Sequence, residues 1–327
     1  MSAAIRIVLF SEINSKLGAP FLTVLAGHPQ VELVGLVTSP PGRLCSYFTG
    51  DADPVDLERQ GREAGVPVLR PRRVSSPEAV AALRKMRADY FIVANFQQIF
   101  TPELLGLPAE MVVNFHPSPL PRYAGLAPFY WMVRNGERFG AVSAIEMAEG
   151  IDTGPVIMQR EVPLAGTETA LALRTAQEQA NVRMLRDLIP ELVDRSFIRV
   201  PQNPALRTYF SAPQEKDHLI DFREPAAVVQ RVVRAGYRHP GAFTLGPDGT
   251  RVTILGVAPA GGVHLPPPAA PGTVRRDEHG VFVATADEWL RITSVERDGV
   301  EVSPFQAAWE RFDNEVLGPP RHQAAPA

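Results

Sequence analysis

Apolar residues in the first third of the chain form short continuous runs, and segments of helical spacing lie between them. We predict buried strands over residues 5–10, 31–38, 66–69, 90–94 and 111–115. The intervening segments predict helices over residues 18–26, 53–63, 76–86 and 101–105. Continuous apolar runs are typical of strands that are covered on both faces. The alternation therefore predicts an α/β fold, a mostly parallel twisted sheet with helices on both faces.

The pattern changes further along the chain. The strand candidates at residues 142–147 and 155–162 lie only eight residues apart, which favours a direct antiparallel return. Residues 167–189 form the longest helical pattern, and Pro190 could end or bend it. Beyond about residue 201 a helix is predicted at 226–235, followed by short strands separated by Gly- and Pro-rich turns. These strands are expected at 242–245, 252–257, 280–284 and 289–295. Short strands joined in this way favour a small β-rich domain, either barrel-like or a sandwich.

Composition and charge narrow the class of protein. With 327 residues, 45% of them hydrophobic, the chain can form one large domain or two ordinary ones. The formal net charge of -3 gives no sign of a polyanion-binding surface. A single cysteine, Cys45, excludes an internal disulfide and fits a reducing compartment. No signal peptide and no apolar run of about 20 residues is present, so we expect a soluble cytoplasmic protein without membrane contact.

Several common motifs are absent from the sequence. No G-x-G-x-x-G follows the first strand, which disfavours dinucleotide binding of the Rossmann type. The chain has no Walker loop, no paired-cysteine zinc spacing and no H-E-x-x-H, so no metal site is predicted. The absence of G-x-S-x-G disfavours a serine hydrolase.

Residues 111–154 hold the candidate chemistry. An apolar run at 111–113 leads to Asn114 and His116, which open a loop broken by proline and glycine. After a short helix and a second apolar strand, a turn presents Asp152. Ligands of open α/β sheets bind just beyond the carboxyl ends of strands. An amide, an imidazole and a carboxylate placed there make an acyl-transfer site.

Three separated motifs resemble the 10-formyltetrahydrofolate-dependent formyltransferases. They are Asn114-Phe115-His116-Pro117-Ser118, then Leu120-Pro121 with Gly125, then Asp152-Thr153-Gly154-Pro155. Residues 89–103 also resemble the family segment that lines the folate pocket, and the whole resemblance covers about residues 5–195. Some members carry a second histidine seven residues before the aspartate, where this chain has Ile145.

The resemblance extends to the second part of the chain. Residues 205–315, with Tyr237-Arg238-His239-Pro240-Gly241-Ala242-Phe243, resemble the smaller C-terminal domain of the methionyl-tRNA and nucleotide-sugar branches. The glycinamide ribonucleotide branch lacks that domain and is disfavoured. We therefore predict a catalytic domain at 1–203, a small C-terminal domain at 204–317 and a flexible tail at 318–327.

The resemblance implies a mechanism without a metal or a covalent enzyme intermediate. Asn114 and a protonated His116 would stabilise the oxyanion of a tetrahedral intermediate, and Asp152 would accept the proton of the amine. The co-substrate would be 10-formyltetrahydrofolate. Residues near it would belong to two segments, Gln98, Ile99 and Phe100 in one, and Met147, Ala148, Glu149, Gly150 and Ile151 in the other. Residues expected beside either substrate are Ser118, Arg122 and Tyr123.

Each site residue also has an ordinary interpretation when taken alone. Asn114 is a common turn former, His116 could be a structural histidine, and Asp152 before Thr-Gly-Pro is a usual turn residue. The joint spacing favours catalysis. Elsewhere, Arg231, Arg234 and Arg238 could form a basic face for phosphate, but a solvated helix face is the expected interpretation.

Charge guides the choice of acceptor. From Ala205 onward the chain has 13 Lys plus Arg and 15 Asp plus Glu, whereas tRNA binding calls for a basic surface. The prediction is therefore a small-molecule amine, either an amino sugar on a nucleotide or a natural-product amine. Methionyl-tRNA is the alternative acceptor. A formyltetrahydrofolate hydrolase and a catalytically silent folate-binding protein are further alternatives, and a homodimer is a possible assembly.

Overall fold

The structure is a computed structural model that describes residues 4–46, 53–261, 270–307 and 309–319. Its strands are β1 Ile5–Phe10, β2 Val31–Val37, β3 Val68–Leu69, β4 Tyr90–Val93, β5 Met111–His116, β6 Ala124–Gly125, β7 Phe139–Glu146, β8 Val156–Pro163, β9 Tyr209–Phe210, β10 Ala242–Leu245, β11 Arg251–Pro259, β12 Val274–Asp277, β13 Gly280–Ala284, β14 Trp289–Arg297 and β15 Val300–Val302. Its α-helices are α1 Gly18–Gly27, α2 Leu57–Glu63, α3 Pro77–Met86, α4 Pro102–Leu105, α5 Pro128–Asn135, α6 Ala170–Asp194 and α7 Ala226–Gly236.

Seven strands form the first sheet, in the order β3-β2-β1-β4-β5-β7-β8. The first five are parallel, whereas β7 pairs antiparallel with both β5 and β8. The predicted mostly parallel α/β sheet and the antiparallel return of β7 and β8 are both confirmed. Strand β4 is fully apolar and buried, and β1 is apolar and buried except at Arg6, as expected for strands covered on both faces.

Local sequence explains where the helices begin. Ser76 caps α3 by accepting a hydrogen bond from the Ala79 N–H, and Pro77 occupies the first helical position. Asp56 caps α2 in the same way, so this helix starts at Leu57 and not at residue 53 as predicted.

Helix α6 passes through Pro190 and reaches Asp194, so the proline does not end it, and the alternative that it bends the helix stays a prediction. Leu188 and Ile189 before the proline and Leu192 after it are fully buried. Burial on both sides of Pro190 stabilises a continuous helix, although the proline lacks one backbone donor.

Close contacts divide the chain into two units. The first comprises residues 1–128, 139–163 and 174–210, and the second comprises 129–138, 164–173 and 211–327. The predicted boundary at residue 203 stays a prediction. The predicted tail at 318–327 lies outside the described residues beyond Pro319.

The second unit contains a six-stranded antiparallel sheet, in the order β10-β11-β14-β13-β12 with β15 beside β14. This confirms the predicted β-rich C-terminal part. Buried side chains of α7, among them Val229 and Val233, share one core with Ile254, Leu290 and Trp309. The sequence analysis missed β12, whose residues after Val274 are exposed and charged, and β15, which has three residues.

Candidate functional site

Strand β5 positions the first two candidate side chains. It pairs in parallel with β4 on one side and antiparallel with β7 on the other, so its backbone is held along its length. Asn114 and His116 are two residues apart and therefore lie on the same face of the sheet. His116 ends the strand and is 6% exposed.

Ile145 lies directly opposite Asn114 in the pairing of β5 with β7. It is buried in a small apolar cluster with Leu120 and Ala124. The position where some family members have a second histidine therefore supports the loop after β5 with an apolar side chain.

That loop carries unusual backbone geometry. Tyr123, Gly125 and Ala127 all have positive φ angles, of 60°, 97° and 49°. Such angles are costly for residues other than glycine and persist where surrounding contacts enforce them. At Gly125 a Cβ atom would lie 2.2 Å from the carbonyl oxygen of Phe210, so only glycine fits there.

Asp152 reaches the same point from the turn between β7 and β8. It has a φ of 53°, and its side chain is only 10% exposed. One carboxylate oxygen accepts the Gly125 N–H at 2.8 Å, and the other lies 3.4 Å from the Asn114 amide nitrogen. Gly154 ends the turn, and a Cβ atom there would lie 1.7 Å from the Glu146 carbonyl oxygen.

The three side chains converge around the imidazole of His116. Its Nε2 lies 3.0 Å from the Tyr123 carbonyl oxygen, and its Nδ1 lies 3.6 Å from a carboxylate oxygen of Asp152. A carbonyl oxygen can only accept, so Nε2 must carry a hydrogen in this arrangement. The Asp152 carboxylate faces the other ring nitrogen, Nδ1, but lies beyond hydrogen-bond distance of it.

Residues 202–210 hold this arrangement in place. The Gln202 amide donates to the carbonyl oxygens of Asp152 and Gly154, at 2.8 and 2.7 Å. Arg207 donates to the carbonyl oxygen of Ile151 at 2.8 Å. Thr208 accepts the Tyr123 N–H through its hydroxyl, so the segment contacts both sides of the carboxylate–imidazole pair.

Aromatic packing and a short strand pair add to this support. The Tyr123 ring stacks on Phe210 at 5.1 Å, and β6 pairs in parallel with β9. Residues 202–210 were missed by sequence reasoning, because their contribution is made through backbone carbonyls and tertiary contacts that no local motif records.

The two segments predicted to line the folate site approach one hydrophobic cluster. Phe100 is buried in that cluster with Phe10 and Val93, and Met147 packs against it. The exposed residues of the segments are Ile99, which is 83% exposed, and Ala148, Glu149, Gly150 and Ile151. The amide oxygen of Gln98 accepts the Val74 N–H, whereas its buried amide nitrogen has no partner among the described residues.

The remaining predicted residues lie in the loop after β5. Ser118 is fully buried, and its hydroxyl donates to the Arg122 carbonyl oxygen at 3.0 Å. The Arg122 guanidinium lies over the rings of Tyr123 and Phe139, at 5.5 and 6.0 Å. Their roles toward substrate stay predictions.

Chemically, this arrangement suits attack of an amine on a carbonyl carbon. An amide N–H and an imidazole N–H can donate to a developing oxyanion, and a carboxylate can accept the proton of the amine. Across the described ranges no group of three His, Cys, Asp or Glu side chains could hold a metal ion. None of the described helices is both long and apolar enough to cross a membrane.

Comparison with known protein families gives two matches. The family model described as formyl transferase matches residues 5–189, and the model of the formyl transferase C-terminal domain matches residues 214–312. The resemblance expected from the motifs is therefore confirmed.

Two curated relatives are methionyl-tRNA formyltransferases. One from Acidithiobacillus ferrooxidans (strain ATCC 53993 / BNL-5-31) is 33% identical over 88% of this chain and 91% of its own length. One from Synechococcus sp. (strain JA-3-3Ab) is 33% identical over 90% of this chain and 91% of its own length.

A solved structure shares the fold at much lower identity. It is the N-formyltransferase of Helicobacter canadensis in complex with folinic acid and dTDP-3-aminofucose. Its TM-score is 0.66 at 16% sequence identity, and the match covers 90% of this chain and all of the other.

Proposed function

Because the chain belongs to the formyl transferase family and is an enzyme that transfers formyl groups from 10-formyltetrahydrofolate, we propose that its acceptor is the amino group of methionyl-tRNA. The observation that carries this proposal is the similarity to methionyl-tRNA formyltransferases over 88% of the chain, which includes both family domains. This reverses the order of the two acceptors that residue chemistry alone favoured.

Asn114, His116 and Asp152 would carry the reaction. The amine nitrogen bonds to the formyl carbon, and the carbonyl π electrons move to its oxygen to give a tetrahedral intermediate. Donors aimed at such an oxyanion are typically worth about 3–4 kcal/mol each. The Asn114 amide nitrogen, 3.4 Å from the Asp152 carboxylate, and the His116 imidazole are the donors available here.

Proton transfer would depend on Asp152. The attacking ammonium must lose a proton, and a carboxylate accepts it directly or through one water. When the intermediate collapses, the C–N bond to the folate nitrogen breaks, and that nitrogen takes up the proton that Asp152 accepted, which returns the carboxylate to its ionised form. The carboxylate also lies 3.6 Å from the His116 Nδ1, so the proton acceptor and the imidazole act side by side.

The folate ring would lie along residues 98–100 and 147–151. Supporting this, both segments approach one apolar cluster, and the buried amide nitrogen of Gln98 has no partner among the described residues. An unpaired buried donor is costly, and a ring acceptor on the folate would satisfy it.

A nucleotide-linked amino sugar is the second candidate acceptor. The net charge of -3, with no excess of basic residues after Ala205, favours a small substrate over a polyanion. The shared fold of the Helicobacter canadensis enzyme is compatible with that acceptor, although at 16% identity it supports the fold alone.

The test is acceptor-dependent turnover of 10-formyltetrahydrofolate, with mass spectrometry of the acceptor. The panel contains Met-tRNA, uncharged tRNA, nucleotide-linked 3- and 4-amino sugars and a water-only control. We expect a formyl mass gain on Met-tRNA alone. A gain on an amino sugar with inert Met-tRNA would replace the proposed acceptor, and folate consumption in water would indicate a hydrolase.

A further inference from the structure

The loop after β5 begins beside the candidate histidine and returns to it. It leaves the strand at Pro117, next to His116, and comes back at Tyr123, whose carbonyl oxygen lies 3.0 Å from His116 Nε2. The hydrogen-bond acceptor of that ring nitrogen is therefore a backbone atom of the loop. Because the partner of one ring nitrogen sets the orientation and the tautomer of an imidazole, whatever holds this loop also holds the ring.

Strand pairing does not hold the start of the loop. The pairing of β5 with β7 ends at His116, opposite Ser143. Pro117 has no N–H group, and the Ser118 N–H donates to the His116 carbonyl oxygen at 2.9 Å, so neither residue continues the ladder. The carbonyl oxygens at this end of the sheet therefore need donors from elsewhere, because buried backbone acceptors are rarely left unpaired.

Gln177 of α6 supplies those donors. Its side chain is fully buried, and its amide nitrogen donates to the Pro117 carbonyl oxygen at 2.7 Å and to the Ala141 carbonyl oxygen at 3.1 Å. Because carbonyl oxygens only accept, the amide nitrogen must face them, which fixes the orientation of the side chain. One buried amide therefore joins α6 to β7 and to the residue that follows His116.

A second glutamine holds the same loop from β8. The amide nitrogen of Gln159 donates to the Leu120 carbonyl oxygen at 3.0 Å and to the Ser143 hydroxyl at 2.8 Å. That hydroxyl donates in turn to the Ser118 carbonyl oxygen at 2.6 Å. The loop is thus held by three of its backbone carbonyl groups, those of residues 117, 118 and 120.

We infer that Gln177, together with Gln159, positions the His116 imidazole by holding the backbone of this loop. Neither glutamine touches a reacting group in this structure, so both are positioning residues. Every residue of the arrangement belongs to the first of the two units. The inference rests on the proposed function in one respect, since it takes His116 to be a group that carries the reaction.

The variant Gln177→Met tests this role, with Asn181→Leu as the matched control. Methionine keeps the length of the side chain and removes both donated hydrogen bonds. We expect kcat to fall about tenfold to a hundredfold with KM values near wild type, because misplacement of a catalytic group by about 1 Å costs rates of that size. Asn181 lies one turn further along α6, is equally buried, and its amide has no partner in the part of the chain that the structure describes. Its replacement should leave kcat unchanged.

A spectroscopic measurement separates positioning from structural support and needs no acceptor. Nitrogen-15 NMR of the imidazole, assigned by comparison with His116→Asn, reports the hydrogen bond at Nε2. The signal should move in Gln177→Met and keep its wild-type position in Asn181→Leu. An unmoved signal in folded Gln177→Met would overturn the inference even if kcat falls, and a wild-type kcat would overturn it as well. If no acceptor is formylated, the proposed function fails, and the NMR signal alone decides whether the glutamine positions the ring.

Gln159→Met decides the question if Gln177→Met does not fold. Gln159 is exposed, so its replacement should be tolerated, and methionine removes the donor to the Leu120 carbonyl oxygen. The Nε2 signal of His116 should move in this variant too, and kcat should fall while the KM values are kept. An unmoved signal with wild-type kcat would show that the ring keeps its place without these donors, which would overturn the inference.

Discussion

At the scale of single residues, the position of the Asp152 carboxylate depends on several neighbours that the sequence motif does not include. Its carboxylate faces Gly125, Asn114 and His116, and its own backbone adopts a left-handed conformation. Asparagine tolerates that conformation nearly as well as aspartate, so a charge-neutral variant can keep the local geometry. Asp152 is therefore a residue at which chemistry and folding can be separated.

We expect Asp152→Asn to lower kcat/KM about 10²- to 10⁴-fold, the usual range for a general base. The thermal midpoint should change little, because asparagine keeps an oxygen for the Gly125 N–H. Steady-state formyl transfer to the identified acceptor measures kcat/KM, and calorimetry measures the thermal midpoint. Asp187→Asn, at an exposed residue that faces Arg160 across 3.7 Å, is the control for the loss of one charge. Activity within about tenfold of wild type would exclude Asp152 as the essential base.

Gln202 is a positioning residue for the same carboxylate. Its amide donates to two successive parts of the Asp152 turn and touches no reacting group in this structure. In Gln202→Met the side chain keeps its length but loses both donors. We expect kcat to fall about tenfold, with loss of about 1–3 kcal/mol of stability from two unpaired carbonyls.

The split between kcat and KM distinguishes positioning from structural support. If Gln202 acts by holding the Asp152 turn, kcat should fall in Gln202→Met while the KM for each substrate stays near its wild-type value. Gln179→Met, at an exposed position of α6, is the control. An unchanged kcat in Gln202→Met with a lowered thermal midpoint would contradict the positioning role.

At the scale of elements, the turn between β7 and β8 is constrained by one glycine. A Cβ at Gly154 would lie 1.7 Å from the Glu146 carbonyl oxygen, a contact that only backbone movement can relieve. We therefore expect Gly154→Ala to displace the turn and lower activity at least as much as Asp152→Asn. Gly27→Ala is the control, because nothing lies within 4 Å of a Cβ there. Wild-type activity in Gly154→Ala would show that the turn adapts without moving Asp152.

Elements with strong local patterns could be predicted from the sequence. Strand β4 is a continuous apolar run, and α3 has its cap and proline in sequence, so both are found within a residue or two of their predicted bounds. Helix α6 was predicted to end or bend at Pro190, but it continues to Asp194. The burial that stabilises it past the proline is tertiary, so no local pattern in the sequence could indicate it. Strand β12 was missed because only Val274 among its residues is buried, which leaves no periodic pattern.

The candidate site divides in the same way. Asn114, His116 and Asp152 stand out in sequence as polar residues beyond apolar runs, and the structure brings them together. The supporting contacts of Gln202, Arg207 and Thr208 join residues about 50 to 85 positions apart in the chain. Such long-range backbone contacts carry no local sequence pattern, so a single sequence could not indicate them.

At the scale of the whole molecule, the charge balance makes a prediction about tRNA. A chain with net charge -3 has no general attraction for a polyanion, so binding must depend on a few local contacts. We expect the KM for Met-tRNA to rise with salt at a modest slope of about 2, as for a small number of phosphate contacts. Steady-state assays from low to physiological salt measure it. A slope several times steeper would reveal a larger basic surface than a few local contacts, and a flat response would argue against RNA as acceptor.

The pH dependence of unfolding can be predicted from His218. This imidazole is 4% exposed, packs edge-on against Tyr130 at 5.0 Å, and has a buried Nδ1 without a partner among the described residues. Burial lowers its pKa, Asp217 opposes this shift, and Arg251 adds to it. The folded state therefore favours the neutral ring.

The sign of the effect follows from proton linkage. Above the unfolded pKa of about 6.5, both states hold the neutral ring and its contribution to stability is complete. As the pH falls through that value, the unfolded chain gains a proton before the folded chain does, so the free energy of unfolding decreases. We expect the thermal midpoint to fall between about pH 7 and pH 5, and His218→Gln to flatten that dependence. His279→Gln, at a side chain 61% exposed, is the control and should keep the wild-type slope. An unchanged slope in His218→Gln would mean that other groups govern unfolding in this range.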